Sequence, residues 1–126
     1  MPHPIKSRRL YDSKIPANGA KRARHDALRL LGDTIYAARI ECTGAIKIGW
    51  TSDLCHRLTC LKHTHQSQVE LLAVVVGATR QDEALVHASF GDEHREHGRE
   101  YYRPTPAVLA LVNEWRVRVG LPTLAA

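Results

Sequence analysis

The sequence predicts an α+β fold: a small, mainly antiparallel three-stranded sheet flanked by helices, preceded by a basic N-terminal arm and helix. Three observations carry this. Val69 to Gly77 is a β-branched, apolar run, long enough for a buried central strand. Thr34 to Ile40 and Ala45 to Gly49 are shorter strand-like runs joined by Glu-Cys-Thr-Gly, a hairpin pattern. The stretches between and beyond them have helical spacing, with Thr, Ser or Asn at the starts and Gly at several ends.

Met1 to Asn18, rich in Pro, Ser and Lys/Arg, reads as extended. Asn18 can cap a helix to about Leu31, with Ala20, Ala23, Ala27, Leu28 and Leu31 along one side. Gly32 stops it. After the hairpin, Thr51 or Ser52 caps a helix to about Lys62 that buries Leu54, Leu58 and Leu61. His63 to Gln68 is a polar loop before the apolar strand. Thr79 caps a helix from Arg80 to about Phe90, and Asp92 to Gly98 is a charged, histidine-rich loop. Thr105 caps the last helix, with Pro106 at its first position, where the missing N–H costs nothing. Val108, Leu109, Leu111, Val112 and Trp115 form its buried side, and Gly120 and Pro122 end it.

With 126 residues, 44% hydrophobic and 25% charged, the chain suits one globular unit. No apolar run approaches the roughly 20 residues that cross a bilayer, and the basic N-terminus lacks a secretory h-region. Three cysteines without a staple pattern are expected as reduced thiols, consistent with a cytoplasmic setting. The charge is unevenly placed. Residues 1–32 hold eight Lys/Arg (Lys6, Arg8, Arg9, Lys14, Lys21, Arg22, Arg24, Arg29) against two Asp, or +6. Residues 33–126 hold ten against eleven Asp/Glu, or −1. A basic arm of this density is expected to neutralise nucleic-acid phosphates and release counterions. The division is therefore a basic segment, 1–32, and a catalytic or binding domain, 33–126.

The hairpin and the helices after it gather a phenol, Tyr36, with the cations Lys47 and Arg57 and the carboxylate Glu83. Phosphodiester hydrolysis uses such groups. Tyr36 can serve as general base if a cation favours its phenolate, and Lys47 on the adjoining strand is the expected cation. Arg57 can bind the scissile phosphate as a fork. Glu83 can hold one divalent metal, magnesium or manganese, with waters completing the shell. His87, four residues on and on the same helical face, is a candidate supporting group.

In order and content these motifs resemble the GIY-YIG nuclease superfamily, especially its short phage and bacterial members. Thr34-Ile35-Tyr36 stands where Gly-Ile-Tyr would, and Lys47-Ile48-Gly49 where Tyr-Ile-Gly would. Arg57 follows ten residues after Lys47, Glu83 opens Glu-Ala-Leu-Val-His-Ala-Ser-Phe, and Gly98-Arg99-Glu100-Tyr101-Tyr102 matches the closing motif. The likeness spans about Asp33 to Asn113. It implies a one-metal DNA endonuclease with Tyr36, Lys47, Arg57 and Glu83 in the site. Thr34 and Lys47 depart from the pattern, Leu61 stands where some members carry a histidine, and the late asparagine has no match unless Glu100 takes its place.

Two other functions fit the same residues: a non-catalytic nucleic-acid binder on this scaffold, and a phage or mobile-element accessory protein working through protein contacts. Cys55, Cys60, His63 and His65 also raise structural zinc. Both cysteines, however, fall on different faces of a helix, where buried free thiols are the commoner outcome. Nothing in the sequence fixes the oligomeric state or separates single-stranded from duplex substrates.

Overall fold

The computed structural model describes residues 19–125, and side chains from residue 23 onward. Among the described residues there are four helices: α1 (Gly19–Arg29), α2 (Leu54–His65), α3 (Arg80–Ala88) and α4 (Pro106–Arg118). Five strands accompany them: β1 (Thr34–Ile40), β2 (Ile46–Thr51), β3 (Val69–Val76), β4 (Arg95–His97) and β5 (Tyr101–Tyr102). They form one sheet in the order β3-β1-β2-β5-β4. Every pairing is antiparallel.

The α+β class holds, but the sheet has five strands rather than three. The two additional strands come from the segment expected to be a charged loop and from the Tyr101-Tyr102 pair. Strands of three and two residues are too short to display alternation. The β3 run is likewise an edge strand and not a central one, because among the described residues it pairs only with β1. Its continuous apolar character comes from cover on both faces. Leu72 and Ala73 join the core beneath α4, while Leu71 and Val74 join the core beneath α1 and α2.

That two-sided cover organises the molecule. On one face, Ile35, Ala37, Ile46, Ile48 and Tyr102 pack with Val108, Leu109, Val112 and Trp115 of α4. On the other, Tyr36 and Ala38 pack with Leu54, Cys55 and Leu61 of α2 and Leu28 of α1. The period-2 alternation of β1 thus feeds two cores, which is why all but one of its residues are buried. Leu28 ties the end of the basic segment into this second core.

The helix starts have direct local causes. Asp53, rather than Thr51 or Ser52, caps α2 by accepting the His56 N–H at 3.0 Å, while Thr51 Oγ1 accepts the Asp53 N–H at 3.0 Å. Thr79 and Asp82 form a reciprocal capping box at the start of α3. Thr105 caps α4 ahead of Pro106. Asn18 lies outside the described residues. No described helix is long and apolar enough to cross a membrane.

Candidate functional site

Tyr36 lies opposite Gly49 across the β1–β2 pair. Its ring runs over that glycine so closely that a Cβ there would stand 2.6 Å from the phenol oxygen and 2.8 Å from Cζ. Glycine is thus required at 49 by close approach, whatever its backbone angles. Tyr36 is 1% exposed as a residue; its hydroxyl makes no hydrogen bond among the described residues and is not one of the fully buried atoms, so the phenol oxygen is the end of the ring that reaches solvent. Burial pushes the Tyr36 phenol well above its usual range; Arg57 pulls the other way, and Glu100, Tyr101 and Glu83 reinforce burial.

The cation acting on Tyr36 is therefore Arg57, and the expected pairing with Lys47 is not formed. In the observed register Lys47 stands opposite Ala38, two residues along from Tyr36. Its ammonium is ion-paired with Glu100 and lies 4.8 Å from the centre of the Tyr101 ring. Arg57 projects from the exposed side of α2, whose other side buries Leu54, Cys55 and Leu61. Its guanidinium has no ion-pair or hydrogen-bond partner among the described residues, while its charge reaches both Tyr36 and Tyr101.

Glu83 is brought in by α3, a helix with no fully buried residue of its own. Two contacts fix its start against β2. The Trp50 indole N–H donates to the Ala78 carbonyl at 2.9 Å, and the Arg80 guanidinium sits 4.5 Å from the Trp50 ring centre. One turn after Glu83, His87 Nε2 lies 3.4 Å from Glu83 Oε2, and His87 Nδ1 is 2.5 Å from the Tyr102 hydroxyl. Tyr102 is buried and faces the α4 core, so it is a rigid stop for the imidazole. Arg95 completes the support, donating to the His87 carbonyl at 2.7 Å and to Asp92 at 3.0 Å.

Glu100 arrives from the third direction. A turn at Gly98, with φ +60°, separates β4 from Glu100, and the Glu100 carbonyl accepts the Ile48 N–H at 2.9 Å. Beyond that bond the β2 edge is no longer covered by β5, which pairs only with Ile46 and Lys47. One donor atom from each of Glu83, His87 and Glu100 lies within 4.8 Å of the other two, and all three residues are half-buried. Among the described residues this is the one His/Cys/Asp/Glu group of three or more with such closeness. Two carboxylates and an imidazole are donors that a divalent cation accepts, so the residues present fit a metal.

The structure thus groups Glu83, His87 and Glu100, with Tyr36 electrostatically coupled to Arg57 and to both carboxylates and Lys47 joined through Glu100. The cysteine–histidine set considered for zinc does not assemble: Cys55 is buried, and Cys60 Sγ instead contacts His56 Nε2 at 3.4 Å. Sequence reasoning missed the surroundings of Tyr101. His65 Nε2 is 2.8 Å from the Tyr101 hydroxyl, and the His97 ring stacks on Tyr101 at 4.4 Å between centroids. The spacing of these residues carried no signal, since three separate elements supply them.

Of the basic segment, Arg24 is half-buried and Arg29 is exposed beside Asp26 at 3.3 Å. Lys6, Arg8, Arg9 and Lys14 lie outside the described residues, as do the side chains of Lys21 and Arg22. A separate groove, lined by Ile35, Val76, Leu85, Val86 and Trp115, is mainly apolar. Its Asp82 carboxylate is already committed to the Thr79 N–H at 2.8 Å. That groove holds no reactive constellation.

Fold and site define a small α+β protein with a mixed cationic and carboxylate centre at the exposed end of a central hairpin. The family model of the T5orf172 domain matches residues 33–119, and the chain belongs to that family. This corrects the GIY-YIG resemblance drawn from the motif order, since the matching family is a different one. The tripeptides that carried the likeness are short, and one of them has a purely steric reason here, the passage of Tyr36 over Gly49. No curated protein and no solved structure matches the chain significantly.

Proposed function

We propose that this protein is a metal-dependent endonuclease that hydrolyses phosphodiester bonds of DNA. The observation that carries the proposal is the carboxylate–imidazole cluster of Glu83, His87 and Glu100, with the Tyr36 phenol and the Arg57 guanidinium, neither of them bonded by a described side chain, close enough to be electrostatically coupled to one another and the phenol to both carboxylates. Arg57 is exposed and makes no ion pair among the described residues, which leaves its fork of donors available to a phosphate.

In this reading Arg57 binds two non-bridging oxygens of the scissile phosphate and stabilises the negative charge that grows there. The Tyr36 oxygen, as phenolate, takes the proton of the attacking water. The water oxygen bonds to phosphorus as the P–O ester bond to the leaving sugar oxygen breaks, and that oxygen is protonated from solvent. A divalent cation, magnesium or manganese, when bound, offsets phosphate charge and favours the Tyr36 phenolate. Glu83 is the residue to hold it. Lys47 and Glu100 set the charge beside the site, and the Lys/Arg of residues 1–32 supply sequence-independent attraction to the backbone of the nucleic acid.

A second reading is a nucleic-acid-binding protein without turnover. It is supported by the upward shift of Tyr36, which keeps the phenol protonated near neutrality in the absence of a bound cation. Cleavage of labelled single- and double-stranded DNA with magnesium or manganese distinguishes the two. The nuclease predicts metal-dependent cutting, abolished in Glu83→Ala and reduced about 10²–10³-fold in Arg57→Ala, with both variants folded. Salt-sensitive binding without cutting by any form would replace the enzyme with the binder.

A further inference from the structure

We infer that Glu83, His87 and Glu100 together bind one divalent ion, and that His87 makes the site select a first-row transition metal such as manganese over magnesium. The inference deepens the metal-dependent reading above, and rests on it for its place in catalysis though not for its test.

Four observations bear on it. Donor atoms around one six-coordinate ion at ~2.1 Å lie ~3 Å apart when adjacent, so a cluster within 4.8 Å closes with rotamer-scale adjustment. Glu83 and Glu100 are half-buried carboxylates held at this separation. Lys47 neutralises Glu100, whereas among the described residues Glu83 has only the imidazole edge of His87, at 3.4 Å. Bringing two such anions together costs Coulomb energy that a cation between them would reverse. Third, the His87 ring is held at its other nitrogen. With the proton on Nδ1 donated to the Tyr102 oxygen, the Nε2 lone pair is left on the Glu83 side, 3.4 Å from Glu83 Oε2. Fourth, Tyr36 is a nearly fully buried residue whose hydroxyl makes no hydrogen bond among the described residues, and both Glu83 and Glu100 act on it electrostatically. A hydroxyl coupled to both carboxylates and unbonded by a described side chain is a group that a metal-bound water could use.

The choice of metal follows from the donor set. Magnesium favours all-oxygen shells with several retained waters. An imidazole nitrogen shifts preference toward manganese, cobalt and zinc in the order of ligand affinity for first-row metals. Tyr102 enters as a positioning residue: it fixes which nitrogen of His87 is offered.

Manganese alone is the probe. Pulsed electron paramagnetic resonance of the full chain with Mn2+ is expected to show modulation from a bound nitrogen, lost in His87→Ala. Binding titrations are expected to give Mn2+ at least about tenfold tighter than Mg2+, with Mn2+ affinity falling about 10–100-fold in His87→Ala and Glu100→Gln. Tyr102→Phe, which keeps the core shape, is expected to weaken Mn2+ binding less than His87→Ala does. A wild-type Mn2+ complex without nitrogen modulation, or equal affinity for Mn2+ and Mg2+, would overturn the inference. So would unchanged Mn2+ affinity in folded His87→Ala. The wild-type spectrum keeps the test decisive should a variant fail to fold. Nitrogen-ligated manganese without DNA cleavage would leave the site standing and remove the nuclease. Magnesium-dependent cleavage without nitrogen ligation would do the reverse.

Discussion

Tyr101 and Tyr102 are neighbours in sequence and belong to different regions of the molecule. Tyr102 is fully buried, facing Val108, Val112 and Trp115 of α4, with Phe90 tilted against it at 5.2 Å and His87 stacked at 5.7 Å. Tyr101 turns to the opposite sheet face, half-exposed among His65, His97 and Lys47. The strand period of two makes this division unavoidable once β5 pairs with β2. The lesson is that one short strand both anchors the site and furnishes its open wall. Glu100, just before the pair, sits where the two roles meet.

The largest effect should come from breaking the anchored side. Tyr102→Ala removes a fully buried aromatic and the stop for His87, at a cost of about 3–5 kcal/mol in stability. Tyr101→Ala should cost about 1 kcal/mol, the worth of one hydrogen bond to His65 and a partly exposed ring. Urea unfolding of the two variants measures the contrast directly. Equal losses would mean that the half-exposed face is as much a part of the core as the buried one.

A smaller loss should follow from crowding the site itself. Gly49→Ala places a methyl at 2.6 Å from the Tyr36 oxygen, and the buried ring cannot swing away freely. Overpacking of this kind costs about 1–3 kcal/mol. Because the displaced atom is the proposed proton acceptor, cleavage should fall by more than the stability change accounts for. Measuring kcat at a temperature where the variant is fully folded separates the two, and unchanged kcat would remove Tyr36 from the reaction.

Much of this arrangement was legible in the sequence, and the failures have physical causes. The bounds of β1 came out as Thr34 to Ile40 because Gly32 and the Glu-Cys-Thr-Gly turn punctuate a β-branched run. Tyr36, Arg57 and Glu83 could be proposed as site residues because each sits on an element whose place the sequence marks with caps or turns. Register was not legible. It depends on how the turn before Ala45 closes, with Gly44 at φ +77° and its N–H donating to Ile40, and this sets Gly49 rather than Lys47 against Tyr36. The position of β3 at the sheet edge was hidden as well, because an apolar run reports cover on its faces and not the number of strand neighbours. His87 and Glu100 were visible only as supporting residues. Their meeting depends on β4 and β5, strands too short to be read from pattern.

The smallest effect concerns the open side of the tyrosine pair and has a definite sign. Burial, then His97 and then Lys47, hold the His65 imidazole below its ordinary value of 6.5. His65 comes from α2, His97 from β4, Lys47 from β2 and Tyr101 from β5, so the charges facing it are cationic or neutral. A histidine with a depressed folded-state value binds more protons when unfolded. Its contribution therefore makes stability rise with pH up to about 6.5 and fall progressively as the pH drops below that value. Comparing wild type with His65→Gln between about pH 5 and 7.5 isolates this contribution. Proton NMR of the His65 ring should show its midpoint moving up in His97→Ala, because removing that neighbour relieves both repulsion and crowding. A midpoint that stayed in place would mean that the stack of His97 on Tyr101 contributes no electrostatics to this wall, leaving burial alone to set the titration of His65.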